Sequence, residues 1–470
     1  MLTLAHFLET WTPYQATGQE PEITAVVVDS RDARPGCLFA AFVGEQADGH
    51  DYVAAAFAAG AVAAVVERPL PGDYLTLDMR SGQMPQTITY DKPVCLVVDN
   101  TLTALQAAAK AWRAKFPVRI IGVTGSVGKT TTKELTHAVL SQQFHTLKSP
   151  GNRNNEIGLP LTLLDLRPQH ERAVLEMGMY NTGEIAQLCD LARPAVGVVT
   201  NVGPVHLERV GSMEGIVKAK QELVEALPPD GVAVLNMDDA RVMSMAAHTP
   251  ARLFTYGLDS GAELWASDIQ SMGLQGVGFT LHYQGESLRV KLPLLGRHSV
   301  HTALRATAVG LIEGMGWESI MSGLTSQRAQ LRLVTVPGPH NSIIIDDTYN
   351  SSPDSALAAL NLLQDLDGRH IAVLGDMLEL GHVEEDAHRL VGRRAADVAQ
   401  LLVAVGARGR WIAEEALQVG MPPQRVVLAE DVATAVSLLP GLIQANDVIL
   451  VKGSLGMRMD RIVAALGKES

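Results

Sequence analysis

Short apolar runs rich in β-branched residues recur along the chain, separated by stretches of helical period. Runs at 24–28, 38–43, 61–66 and 94–98 predict buried strands. An Ala-rich helix is expected at 52–59, and Gly60 suits its C-terminal cap. A helix over 103–116 opens a second region and is stopped by Pro117, which cannot continue it. Strands follow at 119–123, 173–175, 195–200 and 232–235, with helices at 131–140 and 300–313. Gly-rich alternating segments between 254 and 293 predict antiparallel pairing. The third region is the most regular: strands at 342–345, 370–374, 401–405, 426–428 and 448–451 alternate with helical patterns. That alternation is the mark of βαβ units and a mainly parallel sheet.

A chain of 470 residues accommodates about three domains of roughly 100–200 residues each. The breaks in pattern place them at 1–99, 100–330 and 331–470, all of α/β class. With 47% hydrophobic residues, several packed cores are possible. The formal net charge of −13 argues against a nucleic-acid binder, which usually shows a basic face. It does not oppose anionic small molecules, because a local pocket can be positive on an acidic protein. Cys37, Cys95 and Cys189 are odd in number and far apart. They form no disulfide framework and no metal-ligand spacing, so reduced thiols in a cytoplasmic protein are expected. Residues 1–14 lack a basic start followed by an apolar run, so no signal peptide is expected. No apolar stretch approaches the ~18–20 residues of a membrane span.

The most specific local pattern is Gly122-Val123-Thr124-Gly125-Ser126-Val127-Gly128-Lys129-Thr130-Thr131, with a strand entering and a helix leaving. Backbone N–H groups of such a loop surround phosphate oxygens, and the helix N-terminus adds a favourable dipole. Gly125, Ser126, Val127, Gly128, Lys129, Thr130 and Thr131 are therefore candidate ATP contacts. Lys129 would neutralise the β- and γ-phosphates, and Thr130 would offer its hydroxyl to Mg²⁺. The loop departs from the common G-x-x-x-x-G-K-[ST] form, which has Gly where this chain has Val123. A structural glycine turn is the bland alternative, and three glycines with Lys and two threonines leave it little room.

The form T-G-x-x-G-K-T resembles the phosphate loop of the Mur ligase family and of its relative folylpolyglutamate synthase. The resemblance extends over nearly the whole chain. Asp29-Ser30-Arg31, Pro35-Gly36-Cys37-Leu38-Phe39-Ala40-Ala41 and Asp48-Gly49-His50 resemble the UDP-sugar domain. It implies Ser30 and Arg31 as contacts to the nucleotide-sugar substrate. Gly151-Asn152-Arg153-Asn154-Asn155-Glu156 resembles the substrate segment of the D-alanyl-D-alanine-adding branch and implies Asn152, Asn154 and Asn155 as substrate contacts. Glu176 closes the strand at 173–175, and His206 follows the one at 195–200. The family places metal-binding Glu and His residues at these positions. It also places a lysine, here Lys220, which carries a carbamate in several members; two solvated helix lysines, Lys218 and Lys220, are the alternative. Lys129, Glu176, His206 and Lys220 are thus the implied catalytic set, with Thr130, Glu176, His206 and Lys220 around Mg²⁺.

The segment Gly296-Arg297-His298-Ser299-Val300-His301-Thr302 departs from the family, which has asparagines at positions 299 and 302. Ser299 is the implied adenine contact, with shorter reach than Asn. Arg332 and Asp347 match the family's remaining ATP contacts. Asp346-Asp347-Thr348-Tyr349-Asn350-Ser351-Ser352-Pro353, Gly375-Asp376-Met377-Leu378-Glu379 and Lys452-Gly453-Ser454 resemble the same branch. They imply Tyr349, Asn350, Asp376 and Lys452 as contacts to the amino acceptor. The fold implied is α/β in three domains: a small UDP-binding domain, a central P-loop ATPase-type domain with a mainly parallel sheet, and a C-terminal Rossmann-like domain. The activity implied is ATP- and Mg²⁺-dependent ligation of UDP-N-acetylmuramoyl-tripeptide to D-alanyl-D-alanine, by a cytoplasmic monomer that binds neither nucleic acid nor membrane. The alternatives are the same chemistry on a folate, and a P-loop ATPase without ligation.

Overall fold

A computed structural model describes every residue except 45–46, 83–87, 206, 327–333 and 468–470. The chain forms two compact units: residues 1–122, 144–178 and 184–194, and residues 123–143, 179–183 and 195–470. Among the described residues, no helix is long and apolar enough to cross a membrane.

The first unit contains a five-stranded parallel sheet in the order Val26–Val27, Leu38–Ala40, Ala63–Val66, Val94–Val97, Leu75–Asp78. Its central strands are buried along their whole length, as continuous apolar runs predict for parallel strands covered on both faces. Leu75–Asp78 was not expected. It is an edge strand in which Leu77 alone is fully buried, and four residues of mixed polarity give too short a pattern to read. The helix Thr101–Ala114 begins two residues before its expected start because Asn100 Oδ1 accepts the Thr103 N–H at 2.9 Å, a side-chain cap on the first turn. Thr146–Lys148 pairs in parallel with Arg172–Glu176, and Arg172–Glu176 lies beside the strand Arg119–Thr124.

The second unit holds two groups of strands. One runs in the order Glu286–Leu292, Val277–Tyr283, Leu264–Ser271, Arg252–Gly257, Val232–Asn236, Val196–Val199. The antiparallel expectation for 254–293 is corrected at its start. Arg252–Gly257 runs parallel to Val232–Asn236 and to the beginning of Leu264–Ser271, and only the last two pairings are antiparallel. A helical return through Ala240–Met243 and Ser244–His248 precedes Arg252–Gly257, and a crossover of that kind is what parallel neighbours need.

The other group is a six-stranded sheet: Val334–Pro337, Ile343–Asp347, Val448–Lys452, His370–Gly375, Leu401–Val405, Val426–Ala429. Only its first pairing is antiparallel. Successive strand residues point to opposite faces, and each face has its own core. Ile345, Ala372 and Leu450 belong to one hydrophobic cluster, while Ile344, Ile371 and Ile449 belong to the other. This doubly covered, mainly parallel arrangement puts Asp347, Gly375 and Lys452 at the carboxyl ends of adjacent strands, the edge where such sheets bind ligands.

Candidate active site

The strand Arg119–Thr124 delivers the chain into the glycine loop, and the helix Lys129–Leu140 leaves it. Gly125 has φ +142°, and a Cβ there would lie 1.8 Å from Thr200 Oγ1. Gly128, at φ +83°, is the N-cap of the helix. Both torsions lie in the region that disfavours side chains. The loop is braced by Thr200, Asn201 and Gly203. Thr200 Oγ1 donates to the Val127 carbonyl at 2.7 Å, and the Ser126 and Val127 amides donate to the Asn201 carbonyl and Asn201 Oδ1 at 3.0 and 2.9 Å. Ser126 Oγ both donates to the Gly203 carbonyl and accepts from its amide, each at 2.9 Å. With those two amides used, the helix's first-turn amides, which have no i−4 carbonyl within the helix, are the donors that address an anion. Lys129 Nζ donates to the carbonyls of Gly125 and Ser126 at 2.9 and 3.3 Å, so its ammonium is held over the same loop.

In the first unit, Glu176 ends its strand buried, 2% exposed. Its Oε1 accepts from Asn154 Nδ2 at 2.9 Å, and Asn154's carbonyl accepts the Gly178 amide at 2.8 Å. Asn154 thus orients the carboxylate and clamps the turn after it. Asn155 acts differently: its Oδ1 accepts from Gly158 N–H at 2.9 Å, fixing the start of the helix Gly158–Leu164. Asn152 and Asn155 line a cleft of about 530 Å³ with Val26, Val28, Arg34 and Asp165. Ser30 and Arg31 form the short turn after Val26–Val27 and do not line that cleft. Arg31 is paired with Asp29, and its side chain is 87% exposed.

Two lysines on the helix Met213–Glu225 separate cleanly. Lys218 is exposed, while Lys220 is 2% exposed. Lys220 Nζ has Met179 Sδ at 4.0 Å and, among the described residues, no carboxylate partner. Burial, and then the charge of Lys129, push its pKa well below that of an ordinary lysine, because both disfavour the ammonium.

At the carboxyl edge of the six-stranded sheet, Lys452 Nζ donates to Asp347 Oδ2 at 2.6 Å and to the Asn350 carbonyl at 2.8 Å. Lys452 is therefore engaged by two of the predicted site residues. Asp376 is buried and accepts the Arg408 and Gly409 amides at 3.0 and 2.8 Å, so it caps the helix Gly409–Gln418. Tyr349 is half-buried and Asn350 is exposed. Ser299 is buried and donates its hydroxyl to the Leu295 carbonyl at 2.6 Å, which leaves it acceptor capacity only. His206 and Arg332 lie outside the described residues.

Sequence reasoning gave no role to Thr200, Asn201, Asp354 or Arg305. Asp354 Oδ2 lies 2.5 Å from where a Cβ on Gly203 would sit, and burial, with Asp239, raises its pKa. The steric need at Gly125 was the available signal for a bracing partner, but the partner's position in the chain was not.

Three family descriptions match the chain: Mur ligase family, catalytic domain, at residues 22–113; Mur ligase middle domain, at 123–310; and Mur ligase, glutamate ligase domain, at 331–455. The UDP-N-acetylmuramoyl-tripeptide–D-alanyl-D-alanine ligase of Synechocystis sp. is 35% identical over 459 residues, covering 96% of this chain and 94% of that protein. The crystal structure of MurF from Acinetobacter baumannii superposes with a TM-score of 0.84 at 31% identity, covering 100% of this chain and 99% of that one. MurF ligase from Thermotoga maritima, solved in complex with ADP, has a TM-score of 0.76 at 28% identity, covering 95% and 97%. With a braced phosphate loop, a buried strand-end glutamate and full-length relatives of this kind, the chain belongs to the Mur ligase family.

Proposed function

We propose that this protein joins D-alanyl-D-alanine to UDP-N-acetylmuramoyl-tripeptide at the expense of ATP, acting as a monomer in the cytoplasmic synthesis of peptidoglycan precursor. The observation that carries the reading is the loop 125–131, where the Lys129 ammonium lies over the backbone at the N-terminus of the helix Lys129–Leu140. Its support from outside the loop is the likeness, over nearly the whole chain, to the UDP-N-acetylmuramoyl-tripeptide–D-alanyl-D-alanine ligase of Synechocystis sp. and to MurF from Acinetobacter baumannii. We assign 1–99 to the UDP-sugar substrate, 100–330 to ATP and 331–470 to the amino acceptor.

The chemistry is acyl activation. A carboxylate oxygen of the tripeptide attacks the γ-phosphorus of ATP, and ADP leaves. The amine of the dipeptide then attacks the acyl carbon, phosphate departs, and one proton is released from nitrogen. Bringing a carboxylate to a polyphosphate is strongly repulsive, so the protein's main tasks are charge neutralisation and alignment. Lys129 neutralises phosphate charge. Thr130 and the first-turn amides hold the phosphates. Asn152, Asn154 and Asn155, with Ser30 and Arg31, hold the UDP-linked substrate. Tyr349, Asn350, Asp376 and Lys452 shape the acceptor end, and Ser299, Arg332 and Asp347 hold the nucleoside.

The donor set suits Mg²⁺. Glu176 offers a buried carboxylate oriented by Asn154, a hard oxygen ligand of the type this ion prefers. We assign Thr130, Glu176, His206 and Lys220 to its surroundings. When bound, the ion offsets negative charge on the phosphates. Lys220 fits the set as a carbamate: its amine adds carbon dioxide and loses one proton, giving a carboxylate where the amine has no counter-ion among the described residues. The test is product mass. Incubation with ATP, Mg²⁺, the UDP-linked tripeptide and D-alanyl-D-alanine should yield a species heavier than the tripeptide substrate by the dipeptide less one water. Lys129→Ala should abolish it, and an absent product with the wild-type protein would refute the reading.

A further inference from the structure

The helix Ser299–Ile312 packs against the helix that leaves the phosphate loop, and it carries a charged residue in the middle of an otherwise buried face. Arg305 is 4% exposed. One Nη donates to Thr302 Oγ1 at 2.9 Å, and the guanidinium carbon lies 5.9 Å from the Tyr256 ring centroid. Among the described residues its Nε–H has no acceptor. Among the described residues no carboxylate pairs with it. A guanidinium stays protonated in proteins, so this is a buried cation without a counter-ion among the described residues. Burying such a charge is unfavourable unless an anion joins it.

The direction in which it faces identifies that anion. A Cβ on Gly128 would lie 3.5 and 3.7 Å from the two Nη atoms. Arg305 therefore abuts the N-cap of the helix Lys129–Leu140, the place where the loop's amides and dipole favour negative charge. We propose that Arg305 is a third positive element of the nucleotide site, beside Lys129 and the helix N-terminus, and that its charge is balanced by the polyphosphate of the bound nucleotide. The inference rests on the loop binding ATP. It adds that the helix lying behind the loop supplies part of the binding charge, for ADP as well as for ATP. A planar fork with several donors suits that place better than a second point charge. The chain has Ser299 and Thr302 earlier on the same helix, where the family pattern has asparagines. Arg305 contributes affinity at the polyphosphate, whereas Ser299 is the implied adenine contact.

The test compares ligands that share the nucleoside but differ in charge. Calorimetry with ADP, with inorganic tripolyphosphate and with adenosine should be run on wild type, Arg305→Met and Arg305→Lys. Arg305→Met should weaken ADP and tripolyphosphate at least tenfold and leave adenosine within twofold. Arg305→Lys, which keeps the charge without the fork, should fall between. It also keeps the test open if the methionine variant does not fold. Undiminished ADP affinity in either variant would overturn the proposal. So would an equal loss for ADP and adenosine, which would mark Arg305 as a structural residue of the helix pair. If wild type bound adenosine but neither ADP nor tripolyphosphate, the assignment of the loop itself would fail instead.

Discussion

Gly125 and Thr200 stand so close that a Cβ on the glycine would lie 1.8 Å from the threonine hydroxyl oxygen, while that same hydroxyl holds the Val127 carbonyl at 2.7 Å. The loop is therefore shaped from outside by a residue 75 positions later, and the absence of a side chain at 125 is what allows it. Gly125→Ala forces the brace to move and also strains a backbone at φ +142°, at a cost of about 1–3 kcal/mol. The expected result is a lowered melting temperature and ADP binding weakened at least tenfold. Unchanged ADP affinity in a titration would show that the brace does not set the loop's geometry.

Asn154 is expected to act through Glu176. Asn154→Ala removes the 2.9 Å bond that orients the carboxylate, and loss of such an orienting partner commonly costs about 10–100-fold in metal affinity or activity. Asn154→Asp should be worse at neutral pH, because it sets a second carboxylate beside the first. Initial rates measured across a range of Mg²⁺ concentrations check both. If Asn154→Ala needs no more Mg²⁺ than wild type and turns over as fast, Glu176 is not held by it for function.

Much of this was legible in the chain because the underlying signals are local. Five strands of the six-stranded sheet announce themselves as short apolar runs, whereas Val334–Pro337, with Thr335 and Pro337 in four residues, was not read. The loop at 125–131 announces itself by glycine spacing and Lys129. Edge strand Leu75–Asp78 was not legible, since partial burial over four residues leaves no period. Nor were the long-range pairings. Asp376 reads as a polar residue at a strand end, but its two amide partners, at 408 and 409, are set by how a helix returns to the sheet. Ser299 reads as a nucleotide contact, and only the structure shows its hydroxyl donated to Leu295. Arg305 was given no role in the sequence reading, because its burial against Gly128 depends on the packing of two helices distant in sequence.

Lys220 and Lys218 offer an internal control, because one is buried and the other exposed on the same helix. Lys220→Ala should lower kcat on the order of 10²-fold, the scale of removing one charged group from a catalytic electrostatic site. A short-chain carboxylic acid added to the assay should restore part of the rate. Lys218→Ala should stay within twofold of wild type. A fully active Lys220→Ala protein, or one that no carboxylic acid rescues, would remove the carbamate from the account.

A pH effect on stability follows from His6, which is 3% exposed, hydrogen-bonded through Nε2 to the Ala108 carbonyl at 2.8 Å and packed on Trp112. Burial lowers its pKa from 6.5 to about 4. Between those values the unfolded chain binds a proton that the folded protein does not, so stability falls as pH falls through that window. From pH 7 to pH 5 this one group should remove about 1.5–2 kcal/mol. Melting curves of wild type and His6→Gln at both pH values check it: the variant should lose less stability on acidification. Parallel losses would show that His6 does not titrate in this way.

The central claim is ligation driven by ATP, and coupled phosphate release measures it most directly. With ATP and Mg²⁺ present, phosphate should appear only when UDP-N-acetylmuramoyl-tripeptide and D-alanyl-D-alanine are both supplied, one phosphate for each amide bond formed. Sustained release with ATP alone, or undiminished release when the dipeptide is omitted, would contradict the account and leave an ATPase in its place.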